Sequence, residues 1–460
     1  MRLSVLGTGY VGLVCAACFA EAGHRVTCVD RDARRIGALQ RGEVPFHEPG
    51  LEPMVVSNVR SGRLRFTTRV AEAAADADAI FIAVGTPSRA DGSADVTDVL
   101  QAARELGACV ARDALVVLKS TVPVGTTERV EALLAEELSA RRAGASVEVA
   151  FNPEFLREGS AVSDFTRPDR IIVGSRSPRA IAVLRALYAP FVREPERFLA
   201  MNVRDAEMTK YAANAMLAVR ISFMNEIAAI CERLGVDVEQ VRIGIGTDAR
   251  IGSACLHPGC GYGGSCLPKD VRALIRLAQD AGVEAGLLRA AEARNQVQKS
   301  LLFDKVAARF GARMTGLKMG LWGLAFKPGT DDTREAPAAT VIARLLGAGA
   351  VVSVFDPAVR DRAQTGFPET WFDSGRLLIA NDAYDALRNA SALLLVTEWE
   401  QFRRPDFARM RRLMRLPVVF DGRNQYDPVQ LAAQGFEYHA IGRGGVAEAA
   451  RCLLDLQAVG

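Results

Sequence analysis

The stretch from Arg2 to Asp30 constrains the fold most. Arg2-Leu3-Ser4-Val5-Leu6 is a short apolar strand, followed by Gly7-Thr8-Gly9-Tyr10-Val11-Gly12. A helix-like run extends from Leu13 to Ala22, Gly23-His24 ends it, and Arg25-Val26-Thr27-Cys28-Val29 is a second strand closing on Asp30. G-x-G-x-x-G alone is a common string. Between a strand and a helix, with an acid 18 residues after its last glycine, it specifies a dinucleotide-binding βαβ unit. Gly7 makes the tight turn, Gly9 admits a pyrophosphate and Gly12 lets helix and strand pack. The helix N-terminus favours the phosphate charge. Asp30 accepts hydrogen bonds from a ribose diol and repels a 2′-phosphate, which favours NAD over NADP; the adjacent Arg31 softens that preference. Cys15 and Cys18 lie inside the helix and read as packing residues.

Further strand–loop units follow. Ala79–Val84 leads into Gly85-Thr86-Pro87, and Leu115–Leu118 into Lys119-Ser120-Thr121-Val122-Pro123-Val124-Gly125-Thr126. Ligands of open α/β sheets bind beyond the carboxyl ends of strands, so Thr86 and Thr121 are placed to touch cofactor or substrate, or else serve as turn residues. The strand Val147–Phe151 precedes Asn152-Pro153-Glu154-Phe155-Leu156-Arg157-Glu158-Gly159. Its two carboxylates are four apart and share a face if the turn is helical; an exposed solvating pair is the alternative. From Asp205 to Leu234 there is no Gly or Pro, which predicts one helix of about 45 Å. It carries Lys210 and Asn214 one turn apart. The C-terminal half repeats the opening: a strand–glycine unit at 318–328, a helix over Ala338–Leu346, and strands at 350–355, 392–396 and 417–421. Its opening turn is not a full G-x-G-x-x-G, so no second dinucleotide is assigned there. The fold class is therefore α/β, with two doubly wound Rossmann-like domains joined by a long central helix.

At 460 residues the chain exceeds one hydrophobic core. A net charge of +3 gives no reason to invoke nucleic acid or an anionic membrane surface. No apolar run reads as a membrane span, and the N-terminus enters a strand directly without a signal-peptide pattern, which reads as cytoplasmic. Nine cysteines without a disulfide-scaffold rhythm fit a reducing compartment. The spacing of Cys255, Cys260 and Cys266 is not that of paired metal ligands, so no metal is assigned. Only seven of 57 basic residues are lysines, at 119, 210, 269, 299, 305, 318 and 327. Such a chain keeps Lys where a compact ammonium is needed.

The chemistry concentrates in Gly259-Cys260-Gly261-Tyr262-Gly263-Gly264-Ser265-Cys266-Leu267-Pro268-Lys269-Asp270. Four glycines leave the backbone open to a ligand, and Pro268 opens an amphipathic helix. Cys266 is then expected beside a helix N-terminus with Lys269 close by, both of which favour a nucleophilic thiolate. Asp270 is in reach to handle a proton. The bland reading is a buried structural cysteine beside a turn.

With these motifs in this order (7–13, 120–126, 152–159 and 263–266), the chain resembles the UDP-glucose/GDP-mannose dehydrogenase family from residue 1 to about 443. Arg167–Gly174 and the C-terminal motifs favour the UDP-glucose branch, and the chain departs from the pattern at Cys255 and Leu267. The resemblance implies an NAD-binding domain over 1–196, a central helical and dimerisation domain with the nucleophile loop over 197–300, and a UDP-sugar-binding domain over 314–450. It implies oxidation of UDP-glucose to UDP-glucuronate by two NAD⁺ through a thiohemiacetal and a thioester on Cys266, in a homodimer. Lys210 stabilises the developing oxyanion, Asp270 with Thr121 handles water, Glu154 assists thioester hydrolysis, and Glu158 and Asn214 hold substrate. Tyr10, Val11, Arg35, Thr86, Glu158, Lys269 and Arg334 join the glycines and Asp30 around NAD. Phe155, Leu156, Tyr262, Gly263, Phe326, Lys327 and Arg423 line the sugar nucleotide, with Arg250 reaching across the dimer. The alternatives are GDP-mannose oxidation, a non-catalytic nucleotide-sugar binder, and a one-step 2-hydroxy acid dehydrogenase.

Overall fold

The computed structural model describes residues 1–192 and 194–444; positions 445–450 of the expected C-terminal domain, and Cys452, lie outside them. The chain separates into two compact units. The first comprises Met1–Ala213 with Arg272–Val283, and the second Asn214–Val271 with the chain from Glu284.

The first unit is built on β1 (Arg2–Leu6), β2 (Arg25–Val29), β3 (Leu64–Thr67), β4 (Ala79–Ile82), β5 (Ala114–Leu118), β6 (Val147–Phe151), β7 (Ile171–Gly174) and β8 (Phe198–Met201). They form one sheet in the order β3-β2-β1-β4-β5-β6-β7-β8. All neighbours are parallel except β6 and β7, which meet antiparallel at Phe151 and Gly174. The order reverses at β1, so the connections leaving the carboxyl ends of β1 and β4 run to opposite faces of the sheet and leave the crevice where such sheets bind ligands. Strand interiors such as Ala79–Ile82 and Ala114–Leu118 are buried along their whole length. Helices cover both faces, so these strands show no apolar–polar alternation.

The second unit repeats the plan with β9 (Lys318–Trp322), β10 (Val351–Phe355), β11 (Leu377–Ile379), β12 (Ala392–Leu395), β13 (Val418–Asp421) and β14 (Glu437–His439). Their order is β11-β10-β9-β12-β13-β14, all parallel. The helix Gly286–Phe310 packs on this sheet through Leu302, Phe303 and Val306.

The long helix spans Val203–Leu234, 32 residues, two more at its start than the absence of Gly and Pro marked out. By length and composition alone it could cross a membrane, which corrects the reading that no stretch reaches that length; 44% of its most apolar window is buried within the chain. Lys210, Arg220 and Glu226 interrupt it, and core helices of globular domains have the same length and composition.

Candidate active site

Gly7 and Gly12 make the turn and the helix–strand contact expected of them. Gly7 has φ +100°, and a Cβ there would lie 2.6 Å from the Ala83 carbonyl oxygen on the neighbouring strand's exit. A Cβ on Gly12 would lie 2.0 Å from the Gly7 oxygen, so helix and strand touch. A Cβ on Gly9 would meet nothing within 4 Å, which is the open approach a pyrophosphate requires. Asp30 accepts from the Thr8 N–H and hydroxyl at 2.9 and 2.7 Å and from the Asp32 N–H at 3.0 Å. Burial pushes this carboxyl up, but those bonds and Arg35, 3.6 Å away, outweigh it and hold it below the usual range. It is thus charged and suited to a ribose diol. Arg31 does not soften the preference as expected: its guanidinium pairs with Asp98 and Glu105 at 3.3 and 2.9 Å. These features fit NAD.

Tyr10, at the start of the helix Tyr10–Glu21, donates its hydroxyl to Glu48 and accepts the Gly159 N–H at 2.9 Å. Glu48 also accepts from the N–H groups of Gly159 and Ala161 at 2.6 and 2.8 Å. The cofactor turn and the Glu158 turn are therefore stitched together by Glu48, a residue that sequence reasoning missed; only its place between His47 and Pro49 marks it. Thr86 donates to the Thr121 carbonyl at 2.9 Å, joining the loops after β4 and β5 as a turn residue does.

The segment after β6 is not helical, so Glu154 and Glu158 do not share a helical face as that reading supposed. Glu154 is buried and pairs with Lys210 at 2.9 Å, with both side chains at most 5% exposed; its other oxygen accepts the Leu156 N–H at 2.7 Å. Burial raises the Glu154 carboxyl, yet Lys210, the Leu156 N–H and Lys119 bring it below the usual carboxylate range. Phe155 lies between two cations, with its ring centroid 3.8 Å from the Arg170 guanidinium and 5.1 Å from Lys210 Nζ. A cavity of about 250 Å³ opens beside them, lined by Lys119, Glu154, Phe155 and Leu156 among others. Lys119 is buried and bonds Asn152 Oδ1 and the Tyr188 hydroxyl at 3.1 and 3.2 Å. Burial pulls its ammonium below the ordinary lysine value.

In the second unit, Cys266 immediately precedes the helix Leu267–Asp280, and its carbonyl accepts the Asp270 N–H at 2.9 Å. It is partly exposed, with the Ser265 hydroxyl 3.5 Å from its sulfur. Cys260, in the same loop, is fully buried, and burial pushes its thiol up. Asp270 is 1% exposed and is gripped from both sides, by Lys269 Nζ at 2.5 Å and Asn214 Nδ2 at 2.6 Å. Gly261 and Gly264 have φ +99° and +85°. The Phe326 ring lies 2.8 Å from where a Gly264 Cβ would be, and Lys327 Nζ sits 5.5 Å from that ring's centroid. Tyr262 is buried and Gly263 lies against the Glu335 carbonyl. Arg334 forms a two-pronged pair with Asp332 at 2.8 and 2.7 Å. Arg250 pairs with Asp248 at 2.5 Å and is 89% exposed. Arg423 directs Nε to the Val396 carbonyl at 2.7 Å and to Glu398 at 3.1 Å, with longer contacts to the Gly261 and Phe326 carbonyls.

Family models match the chain in three consecutive pieces of one family: the UDP-glucose/GDP-mannose dehydrogenase NAD binding domain over 1–192, central domain over 204–297 and UDP binding domain over 320–428. The chain belongs to the UDP-glucose/GDP-mannose dehydrogenase family. It is an NAD-dependent nucleotide-sugar dehydrogenase. UDP-glucose 6-dehydrogenase of Pseudomonas aeruginosa is 54% identical over 96% of this chain and 98% of its own length. The enzyme of that name from Rhizobium meliloti is 45% identical over 96% and 100%. Among solved structures, a UDP-glucose dehydrogenase from Pyrobaculum islandicum superposes with a TM-score of 0.85 at 40% identity, covering 97% of each chain. A GDP-mannose dehydrogenase from Pseudomonas aeruginosa gives 0.53 at 33% identity, over 92% of this chain and 97% of that one.

Proposed function

We propose that the substrate is UDP-glucose and that the chain oxidises it by four electrons to UDP-glucuronate through covalent intermediates on Cys266. The observation that carries this reading is the partly exposed Cys266 at a helix N-terminus, four residues before a buried carboxylate held by Lys269 and Asn214. A nucleotide-sugar binder needs no nucleophile, and a one-step alcohol oxidation needs no thioester. The UDP-glucose dehydrogenases aligned over nearly the whole chain support the choice of sugar.

Bound NAD⁺ supplies the hydride acceptor in both oxidations. Loss of hydride and proton from the C6 alcohol gives an aldehyde, with Lys210 stabilising charge on its oxygen. The Cys266 thiolate adds to the aldehyde carbon, and protonation gives a thiohemiacetal. Loss of a second hydride and proton gives the thioester. Asp270, with Thr121, deprotonates the water that adds to the thioester, Glu154 assists, and the C–S bond breaks to return the thiolate. Glu158, Asn214, Phe155, Leu156, Tyr262, Gly263, Phe326, Lys327 and Arg423 belong to the sugar-nucleotide side of this reading. Tyr10, Val11, Arg35, Thr86, Lys269 and Arg334 belong to the NAD side. This reading assigns an NAD-binding domain to 1–196, a central domain to 197–300 and a UDP-sugar domain to 314–450.

Purified protein with excess NAD⁺ and limiting UDP-glucose is expected to form two NADH per sugar, and no more than a trace with GDP-mannose. Two per GDP-mannose moves the chemistry to the other branch of the family. One per sugar removes the thioester, and none from either supports a binding protein.

The same reading makes the enzyme a homodimer. Met216, Phe223 and Ile230, seven residues apart on the long helix, are 60, 51 and 48% exposed, an apolar stripe that a second copy covers by two-fold symmetry. Sedimentation is expected to give twice the chain mass, and Phe223→Lys to shift it towards the monomer; a monomeric wild type removes the dimer and Arg250's role across it. The reading places the enzyme in the reducing cytoplasm, where Cys266 stays a thiol. Recovery of activity in the cytosolic fraction checks this.

A further inference from the structure

The nucleophile loop has no regular structure between 256 and 266, and its buried backbone groups need partners from elsewhere. Asn225 accepts the Gly259 N–H at 2.9 Å and the Gly422 carbonyl accepts the Cys260 N–H at 2.9 Å; one turn of the helix Gly286–Phe310 supplies several more. Asn295 accepts the Tyr262 N–H at 2.9 Å and donates to the Tyr262 carbonyl at 3.1 Å. Gln298 donates to the Gly259 carbonyl at 2.6 Å. Arg294 donates to the Gln298 oxygen at 2.6 Å, which turns the amide's nitrogen to the loop. Lys299 runs its stem along Gly261 and pairs with Glu335 at 2.9 Å. Asn295, Gln298 and Lys299 are at most 3% exposed, on a helix whose other buried positions are mainly apolar. Burying three polar side chains costs free energy unless each has a partner, and here the partners are in the loop or against it.

Glu335 adds a reason for the lysine. It is a non-glycine residue at φ +55°, a conformation that persists only where its surroundings hold it. The turn it occupies seats the last two glycines of the loop: the Arg334 carbonyl accepts the Gly264 N–H at 2.8 Å, and the Glu335 carbonyl oxygen lies 2.4 Å from where a Gly263 Cβ would be. We propose that Lys299, through its ion pair with Glu335, is a positioning residue for Cys266, locking the turn on which Gly263 and Gly264 rest. The inference rests on the reading of Cys266 as the nucleophile.

The test compares Lys299→Met, Lys299→Arg and Glu335→Gln with the wild type. It reads kcat, KM for UDP-glucose and for NAD⁺, and the pH dependence of Cys266 alkylation by iodoacetamide, followed on its peptide by mass spectrometry. Lys299→Met and Glu335→Gln are expected to lower kcat by about 10²-fold, displace the alkylation profile and leave KM for NAD⁺ within about twofold. Lys299→Arg, which keeps the pair, is expected to restore most of both. Wild-type kcat and alkylation in both Lys299→Met and Glu335→Gln overturns the proposal, as does a kcat loss with an unmoved alkylation profile. If Lys299→Met does not fold, Glu335→Gln, altered at a partly exposed side chain, decides by the same criteria. If the wild type does not oxidise UDP-glucose, the reading of function fails while the alkylation profiles still decide the positioning role.

Discussion

Cys266→Ser is expected to lower steady-state NADH formation from UDP-glucose by roughly 10³-fold or more, with the melting temperature and NAD⁺ binding close to wild type. The side chain is partly exposed and differs by one atom, so packing changes little. The serine hydroxyl beside a helix N-terminus remains protonated near neutral pH, so the aldehyde is not captured. At most a slow first oxidation remains. Stopped-flow absorbance at limiting UDP-glucose separates the outcomes. A slow phase of no more than one NADH per sugar fits the covalent scheme; two per sugar at the wild-type rate would falsify it.

The second large effect is expected at Lys210. Lys210→Met leaves the Glu154 carboxylate buried beside an apolar side chain. Removing one partner of a buried pair costs about 3–5 kcal/mol, and loss of the cation is expected to lower kcat by about 10²–10³-fold. The pH dependence has a definite sign. In the wild type Glu154 is held below its ordinary value, so the pair contributes fully above the normal carboxylate pKa and is lost as pH falls through the folded-state value. In the variant the main opposing charge is gone and burial pushes the carboxyl up, so protonation relieves it. The difference in melting temperature between variant and wild type is therefore expected to narrow as the pH drops through the carboxylate range. The double variant Lys210→Met with Glu154→Gln is expected to recover part of the stability and none of the activity. A stability gap that does not change with pH would show that Glu154 is not the group left stranded.

The second sheet shows how one carboxylate position separates two similar turns. Asp30 follows β2 and Asp356 follows β10. Asp356 is 1% exposed, and its two oxygens accept from the N–H groups of Leu324, Ala325, Ala358 and Val359 and from the Trp399 indole. Its lone pairs are spent inside the protein, so it closes the turn after β9. Asp30 is bonded to Thr8 in the glycine turn and keeps a side chain that is 15% exposed. This accords with assigning the chain one dinucleotide turn.

Local sequence determined the central strands β1, β2, β4, β5, β6, β9, β10, β12 and β13, the long helix, the glycine turn with Asp30, and Cys266 ahead of a helix. Each is written in a continuous apolar run, in the absence of Gly and Pro, or in a spacing set by the helix and strand repeats. Besides β7, which lies inside the first sheet, the strands that escaped notice are β3, β8, β11 and β14, the two edges of each sheet. They are three or four residues long and partly exposed, so neither length nor apolar content marks them; pairing to one neighbour makes them strands. Tertiary structure alone decided which polar side chains meet. Glu154, which would share a face with Glu158 only in a helical turn, is buried against Lys210, 56 residues on; Arg423 turns to the Val396 carbonyl and to Glu398. The partners of Glu48 and Lys299 could not be read from the sequence, because they lie 38 and 36 residues or more away. Periodicity reports what a residue does within its own helix or strand. A buried polar group is decided by the distant donors and acceptors that folding brings to it, and no local pattern encodes them.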